Sequence, residues 1–430
     1  MPQRIFLQDI FVDKLQDGTT ATIRRAELLD GTPAAPPAGP GGSGILRIHL
    51  FSRRGGDGMG WFGKKKAGGV PDGAGGSGGP SAEAVLAVLS TVDDPEIGRD
   101  LVSLGMIRNV EVRGGDVSLD LVLTTPACPM KKQIRDSVEA AVRTLPGVAA
   151  VDVRVGAEVR QGQGAPAGPD SMRKAIPGVR NVIAVASGKG GVGKSTVSAN
   201  LAAALALDGA RVGLLDADIY GPSAPTLFGL KGHRLEAKEG WIVPAEAHGV
   251  KVLSIGFAVA EDDPIIWRGP MLMKALTQFL HETAWGELDY LVVDLPPGTG
   301  DVQISLVQMV PVAGAVVVST PQDLALVDAK KAVRMFEKVG VPILGVVENM
   351  STFLCPHCGG RSDIFGHGGA KAACDSMKLP FLGEVPLQVE LREASDSGTP
   401  LVASKPEAEA AKALVAVARG AASALARLEI

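Results

Sequence analysis

Apolar positions along the chain fall into two regimes on either side of a Gly-, Pro- and Gln-rich stretch at 161–169. Ahead of that stretch, residues 82–90 have a helical composition. Residues 106–113 and 116–124 then alternate apolar and polar around Gly114-Gly115, which predicts a hairpin. Val117, Leu119, Leu121 and Leu123 mark the buried face of its second strand. Met130, Ile134, Val138 and Val142 recur every fourth residue and put one apolar stripe on a helix, and Val151, Val153 and Val155 supply a last strand. The order α-β-β-α-β is a small α+β unit. Beyond 171 the pattern changes to short, continuous apolar runs at 182–185, 211–215, 288–293, 314–319 and 342–347, with helical patterns between and after them. Strands buried on both faces and alternating with helices predict an α/β fold, a doubly wound and mostly parallel sheet. The expected organisation is a low-complexity extension over 1–80, the small domain over 81–158, a linker over 159–171 and the α/β domain over 172–430.

The extension is hard to place. Residues 32–44 are rich in Pro, Ala and Gly, residues 55–80 are dominated by Gly, and Lys64, Lys65 and Lys66 read as part of a solvated linker. Met59 is a candidate translation start. Over the 430 residues, 46% are apolar and 21% charged, and the net charge of −4 gives no reason to expect affinity for nucleic acid or acidic membranes. No apolar run is long enough to span a bilayer and the N-terminus lacks a signal-peptide pattern, so a cytoplasmic protein is expected. Four cysteines in so long a chain do not form a disulfide framework.

The run at 182–185 leads into Gly188-Lys189-Gly190-Gly191-Val192-Gly193-Lys194-Ser195-Thr196, which fits the G-x-x-x-x-G-K-[ST] phosphate loop. Its glycines let backbone N–H groups wrap a polyphosphate, Lys194 supplies charge to the β/γ-phosphates of ATP, and the Ser195 hydroxyl can ligate Mg²⁺. Asp216, Asp218 and Asp294 close apolar runs at the strand ends where ligands gather in such sheets. Asp294 would hold Mg²⁺ with Asp218 as a further candidate ligand, Asp218 would also reach the γ-phosphate side and orient a water, and Asp216 could support either role. Gly298 and Gly300 flank a segment able to change conformation when that phosphate leaves.

Two further features need a purpose. Cys355-Pro356-His357-Cys358-Gly359-Gly360 spaces two thiolates for one soft metal centre, yet a zinc or iron–sulfur site needs about four ligands. The remaining cysteines, Cys128 and Cys374, lie in no second C-x-x-C, so one chain offers half a site that two chains would complete. Thioredoxin-type redox chemistry and a structural zinc are the alternatives. Cys128 itself, in Thr125-Pro126-Ala127-Cys128-Pro129, falls where a strand ends and a helix begins, a place expected to depress a thiol pKa. Asp93-Asp94-Pro95-Glu96 reads as a helix-capping turn.

Lys189, which an ordinary phosphate loop does not require, makes the sequence resemble the deviant Walker A ATPases, the group of MinD, ParA and the arsenite-pump ATPases. That resemblance implies that Lys189 reaches the partner's nucleotide across a homodimer and neutralises transition-state charge there. Asp216-Ala217-Asp218-Ile219-Tyr220-Gly221-Pro222-Ser223, Asp294-Leu295-Pro296-Pro297-Gly298-Thr299-Gly300-Asp301, Glu348-Asn349-Met350-Ser351 and the C-x-x-C together resemble the Mrp (ApbC-like) family over about 172–400. The family resemblance implies an ATP-dependent iron–sulfur cluster carrier. In it Cys355 and Cys358 of two subunits hold a labile [4Fe–4S] cluster, and Asn349 reads adenine. Its partners would be apo iron–sulfur proteins and cluster-assembly scaffolds, with no nucleic acid and no membrane. Residues 81–155 are similar to the small iron–sulfur-assembly domain fused ahead of such ATPases, which makes Cys128 a candidate auxiliary thiol. A MinD- or ParA-like spatial organiser is the rival, but residues 407–428 are Ala-rich, carry no Trp or Phe anchor, and mix Glu with Arg.

Overall fold

A computed structural model describes residues 21–22, 79–162, 173–219, 221–258 and 269–428. The Lys64–Lys66 triplet, the start at Met59 and most of the 161–169 stretch lie outside the described residues.

In the small domain, α1 (Ala82–Leu89) begins where the Ser81 side chain accepts the Ala84 N–H at 3.2 Å, satisfying a donor that the first turn leaves free. Strands β1 (Ile107–Arg113) and β2 (Asp116–Leu123) pair antiparallel across a turn in which Gly114 takes φ +63°. After α2 (Lys131–Arg143), β3 (Ala150–Ala157) joins β2 in parallel. Alternate residues of β2 and the every-fourth stripe of α2 meet in one core, which Val85 and Leu89 of α1 close. The α-β-β-α-β order read from the alternation is the order observed. The acidic turn is a turn rather than a helix cap: the buried Asp94 carboxylate accepts the N–H groups of Glu96 and Ile97 at 2.8 and 3.0 Å.

Among the described residues the sheet of the second domain has nine strands: β4 (Val179–Ser187), β5 (Val212–Asp216), β6 (Ala245–Ala247), β7 (Val250–Ser254), β8 (Leu288–Asp294), β9 (Val312–Ser319), β10 (Ile343–Leu354), β11 (Arg361–Ser362) and β12 (Phe381–Leu387). Their order is β11-β10-β9-β4-β8-β5-β7-β6, with β12 also paired to β10. All pairs are parallel except those made by β6 and β11 at the edges. Every residue of β8 and β9 is buried, which requires cover on both faces of the sheet. Helices supply it: α3 (Lys194–Leu207), α4 (Ala224–Leu227), α5 (Gly269–His281), α6 (Asp301–Met309), α7 (Asp323–Lys338), α8 (Gly369–Met377), α9 (Val389–Ser397), α10 (Leu401–Ser404) and α11 (Glu409–Leu428). Helix α3 buries its alanines against α11, and Asn200 on α3 accepts the Val402 N–H of α10 at 3.1 Å. A separate hairpin, Glu236–Lys238 with Trp241–Val243, is joined antiparallel by Ala21–Thr22. Among the described residues no helix is long and apolar enough to cross a membrane.

One strand departs from its hydrophobic pattern. The apolar run stops at Val347, yet β10 continues to Leu354. Its extension is polar but buried: Asn349, Ser351 and Thr352 are shielded from solvent. The side chains of Asn349 and Ser351 are met internally, Ser351 donating to the Val385 carbonyl at 3.3 Å. Met350, at φ +56°, marks the irregularity in its pairing with β12. The extension delivers the chain from the nucleotide side of the sheet to the C-x-x-C.

The two domains are locked together. Ala127 of the small domain and Val159 beyond it lie in the core of the second domain. The buried Tyr290 hydroxyl of β8 donates to Thr125 Oγ1 at 3.0 Å, and Ser423 of α11 donates to the Glu96 carboxylate at 2.7 Å.

Candidate functional site

The phosphate loop runs from the end of β4 into α3, with Gly191 and Gly193 at φ +79° and +80°. Gly193 has a second reason to be glycine. A Cβ there would stand 2.2 Å from Asn349 Nδ2, whose amide donates to the Val192 carbonyl at 2.8 Å. Asn349 of β10 therefore buttresses the loop from the side, and it lies within the strand rather than at its end. The Ser187 hydroxyl donates to the Lys189 carbonyl at 2.8 Å and fixes the loop's start. Lys189 Nζ extends to Gln322 Oε1, 3.4 Å away, at the N-terminus of α7.

Lys194 is 6% exposed and stands among acids, its Nζ 2.8 Å from Asp294 Oδ1 and 3.8 Å from Asp218 Oδ2. Asp294, at the end of β8, also accepts the Ser195 hydroxyl at 2.5 Å and the Ser198 hydroxyl at 2.7 Å. Ser198, one helical turn beyond Lys194, is a member of the site that the motif does not name. The adjoining oxygens of Ser195 and Asp294 are the hard donors that Mg²⁺ takes, at the N-terminus of a helix suited to phosphate. Lys194, Ser195, Asp218 and Asp294 are thus brought together as their sequence positions led one to expect.

Asp216 has a different place. It is the register neighbour of Asp294. Its carboxylate accepts the N–H groups of Ser223 and Ala224 at 2.9 and 3.0 Å and the Ser254 hydroxyl at 3.0 Å, while Asp218 N–H reaches it at 3.2 Å. Full burial, with Asp294 alongside, pushes the carboxyl up to about 7. Asp216 anchors the segment that carries Asp218. On the other flank, Gln303 of α6 donates to the carbonyls of Pro296 and Pro297 at 2.9 and 3.0 Å, and Gly298, at φ +96°, donates to the Ser187 carbonyl at 2.9 Å.

The thiolate pair sits on the hairpin made by β10 and β11. Cys355 N–H donates to the Gly360 carbonyl and Gly359 N–H to the Cys355 carbonyl, each at 2.9 Å, with Gly359 at φ +66°. The N–H groups of His357 and Cys358 turn onto the Cys355 sulfur and, with the Cys358 side chain, hold its pKa below the ordinary thiol value. Cys358 is exposed. The two sulfurs are neighbours on one turn, Cys355 turned toward the thiolate and Cys358 open to solvent.

Cys128 corrects the expectation drawn from its place before a helix. Helix α2 starts only at Lys131, and the half-buried thiol faces Glu96 at 3.9 Å. Burial, then the charges of Glu96 and Asp94, push it up to about 11 and outweigh the Met130 N–H that acts the other way. Cys374, 1% exposed on α8, is likewise raised to about 11, by burial first.

The family described as NUBPL iron-transfer P-loop NTPase matches residues 178–422, and that described as iron–sulfur cluster assembly protein matches 82–153. The "Iron-sulfur cluster carrier protein" of Synechocystis sp. is 52% identical over 344 residues, covering 79% of this chain and 96% of that one. Its namesake in Deinococcus radiodurans is 53% identical, covering 78% and 93%, and that of Escherichia coli K12 is 44% identical, covering 76% and 87%. Among solved structures, a nucleotide-binding protein in complex with ADP from Archaeoglobus fulgidus is 41% identical over 54% of this chain and 92% of its own, with a TM-score of 0.48. The doubly wound sheet and its phosphate loop define a P-loop NTPase. More particularly, the chain belongs to the family of iron–sulfur cluster carrier proteins, with an iron–sulfur cluster assembly domain ahead of the NTPase domain.

Proposed function

We propose that this protein is a homodimeric ATPase that carries a labile [4Fe–4S] cluster between Cys355 and Cys358 of two subunits and delivers it to apo-proteins in the cytoplasm. The observation that carries this reading is the state of the four thiols. Cys355 and Cys358 stand together on one hairpin, Cys355 turned toward the thiolate and Cys358 exposed, while half-buried Cys128 and buried Cys374 are both pushed up to about 11. One chain thus offers two ligands to a cargo that takes four, and a second copy completes the set.

In the nucleotide site the phosphate-loop N–H groups and Lys194 would bind the polyphosphate, and Asn349 would hold the loop while its remaining amide groups read adenine. Asp218 would orient the attacking water, and Asp216 would fix the segment bearing Asp218. Bound at Ser195 and Asp294, Mg²⁺ would supply charge neutralisation to the β/γ-phosphates. Lys189 would act on the partner's nucleotide, linking hydrolysis to the dimer and so to the cluster between its subunits. Strand β10 supports that link, since it bears the Asn349 contact to the phosphate loop and runs on into Cys355.

The test is anaerobic reconstitution with iron and sulfide. A broad thiolate-to-iron absorption, lost in both Cys355→Ser and Cys358→Ser, with about one cluster per two chains, is the expected result. A colourless protein that retains zinc, or a cluster indifferent to both substitutions, would overturn the reading.

A further inference from the structure

A second set of ligating groups lies at the same end of the sheet, apart from the phosphate loop and from the thiolates. Glu348 of β10 and Glu384 of β12 are register partners on neighbouring parallel strands, so their side chains leave the sheet side by side on one face. His367, in the segment that leads from the thiolate hairpin to α8, lies against them with Nε2 2.8 Å from Glu384 Oε2. One ligand atom from each of the three falls within 4.8 Å of the others.

Glu348 is fully buried. Its oxygens accept the N–H groups of Gly368 and Ala370 at 3.0 and 2.7 Å, one bond to each oxygen. These bonds orient the carboxylate as outer partners orient a metal ligand, and each oxygen keeps a lone pair. The cluster sets two carboxylates against one imidazole, so acidic groups outnumber the basic ring. The charge of Glu348 is felt by its neighbours: burial, then Asp375 and Glu348, raise the Cys374 thiol on α8. A divalent cation between the three side chains would cancel that charge without moving the backbone.

We propose that Glu348, His367 and Glu384 form a binding site for a divalent transition-metal ion of the Zn²⁺ class. One imidazole nitrogen with two carboxylate oxygens is the mixed donor set such ions accept, whereas Mg²⁺ prefers all-oxygen sites and Cu⁺ prefers sulfur. Half-exposed His367 gives the ion its way in, and buried Glu348 fixes its depth. A bound ion would pin the end of the segment 363–368 to β10 and β12. The far side of the C-x-x-C hairpin would then be held as firmly as the near side, where β10 and β11 pair. The site stands whether or not Cys355 and Cys358 carry a cluster.

The experiment uses the full chain with Cys355→Ser and Cys358→Ser, so that no metal enters through those thiolates, with excess Mg²⁺ and no nucleotide. Zn²⁺ alone is titrated by calorimetry and counted by metal analysis after dialysis. One Zn²⁺ per chain is expected, with affinity falling by about tenfold or more in each of His367→Ala and Glu384→Gln. Both substitutions are partly or fully at the surface, and an unchanged metal-free melting temperature verifies that they fold. Hydrogen exchange supplies a structural readout: Zn²⁺ slows exchange across 363–370 in the parent and leaves His367→Ala unaffected. Absence of saturable Zn²⁺ binding overturns the proposal. So does binding that survives both substitutions, or that leaves exchange at 363–370 unchanged.

Discussion

Alkylation of the native protein at about pH 8 separates its thiols by environment, and the separation follows from the structure. A thiol at about 11, as Cys128 is, holds on the order of one thousandth of its population as thiolate at that pH, against about one tenth for an ordinary thiol at 9.0. Ionisation alone therefore slows Cys128 about a hundredfold. The more basic thiolate is intrinsically more nucleophilic, with a Brønsted slope of about 0.4–0.5, which returns roughly tenfold. About tenfold remains, and the half-burial of the sulfur against the small domain's core adds to it. Iodoacetamide labelling followed by peptide mass spectrometry should show Cys128 reacting at least about tenfold more slowly than exposed Cys358, with the difference gone in denaturant. Glu96→Gln keeps an acceptor for Ser423 but removes the charge beside the sulfur. Because burial is the larger cause, that substitution should speed Cys128 by only a few-fold. Labelling of native Cys128 at the rate of Cys358 would refute the argument and reinstate the helix-terminus effect expected from its position.

Other consequences are open to direct measurement. Gly193→Ala places a side chain at φ +80° and forces the Asn349 amide off the Val192 carbonyl. The backbone strain costs about 1–2 kcal/mol, and titration with a fluorescent ATP analogue should show binding lost while the far-UV spectrum is kept. Tyr290→Phe removes the buried hydrogen bond between the two domains and should cost about 1–2 kcal/mol in urea unfolding, with no loss of nucleotide binding. Asp216 holds its proton to about 7 in the folded protein, against 3.8 unfolded, so its stabilising contribution is complete below about pH 4 and is lost as the pH rises through about 7. Calorimetry without nucleotide at about pH 5 and pH 8 should accordingly find Asp216→Asn gaining on the parent at the higher pH, and a difference that is flat or shrinks would contradict the burial argument. Mixing Lys189→Ala chains with Asp218→Asn chains should restore part of the ATPase activity that each lacks alone, if Lys189 acts across the dimer.

Much of this protein is written in contiguous stretches, and those were legible. The phosphate loop and the thiolate hairpin are each set by local backbone demands, positive φ at Gly191, Gly193 and Gly359 and N–H groups that turn inward over a few residues. Strands such as 288–294 declare themselves because burial on both faces favours apolar side chains, here Leu288 and the run Leu291, Val292 and Val293. Tertiary structure alone decided what depends on residues far apart in the chain. Strand β10 outruns its apolar pattern because Asn349 and Ser351 find partners on the phosphate loop and on β12. Ser198 joins Asp294 across 96 residues, and Glu348 meets His367 and Glu384 only because β10 and β12 are neighbours. Cys128 shows the reason most directly. Its sequence position predicts a favoured thiolate, but the thiol packs half-buried against the small domain's core beside Glu96, whose carboxylate is held by Ser423 of α11, 327 residues away. Local propensity acts through a residue's own backbone and is readable along the chain, whereas desolvation is imposed by whatever the fold packs against it.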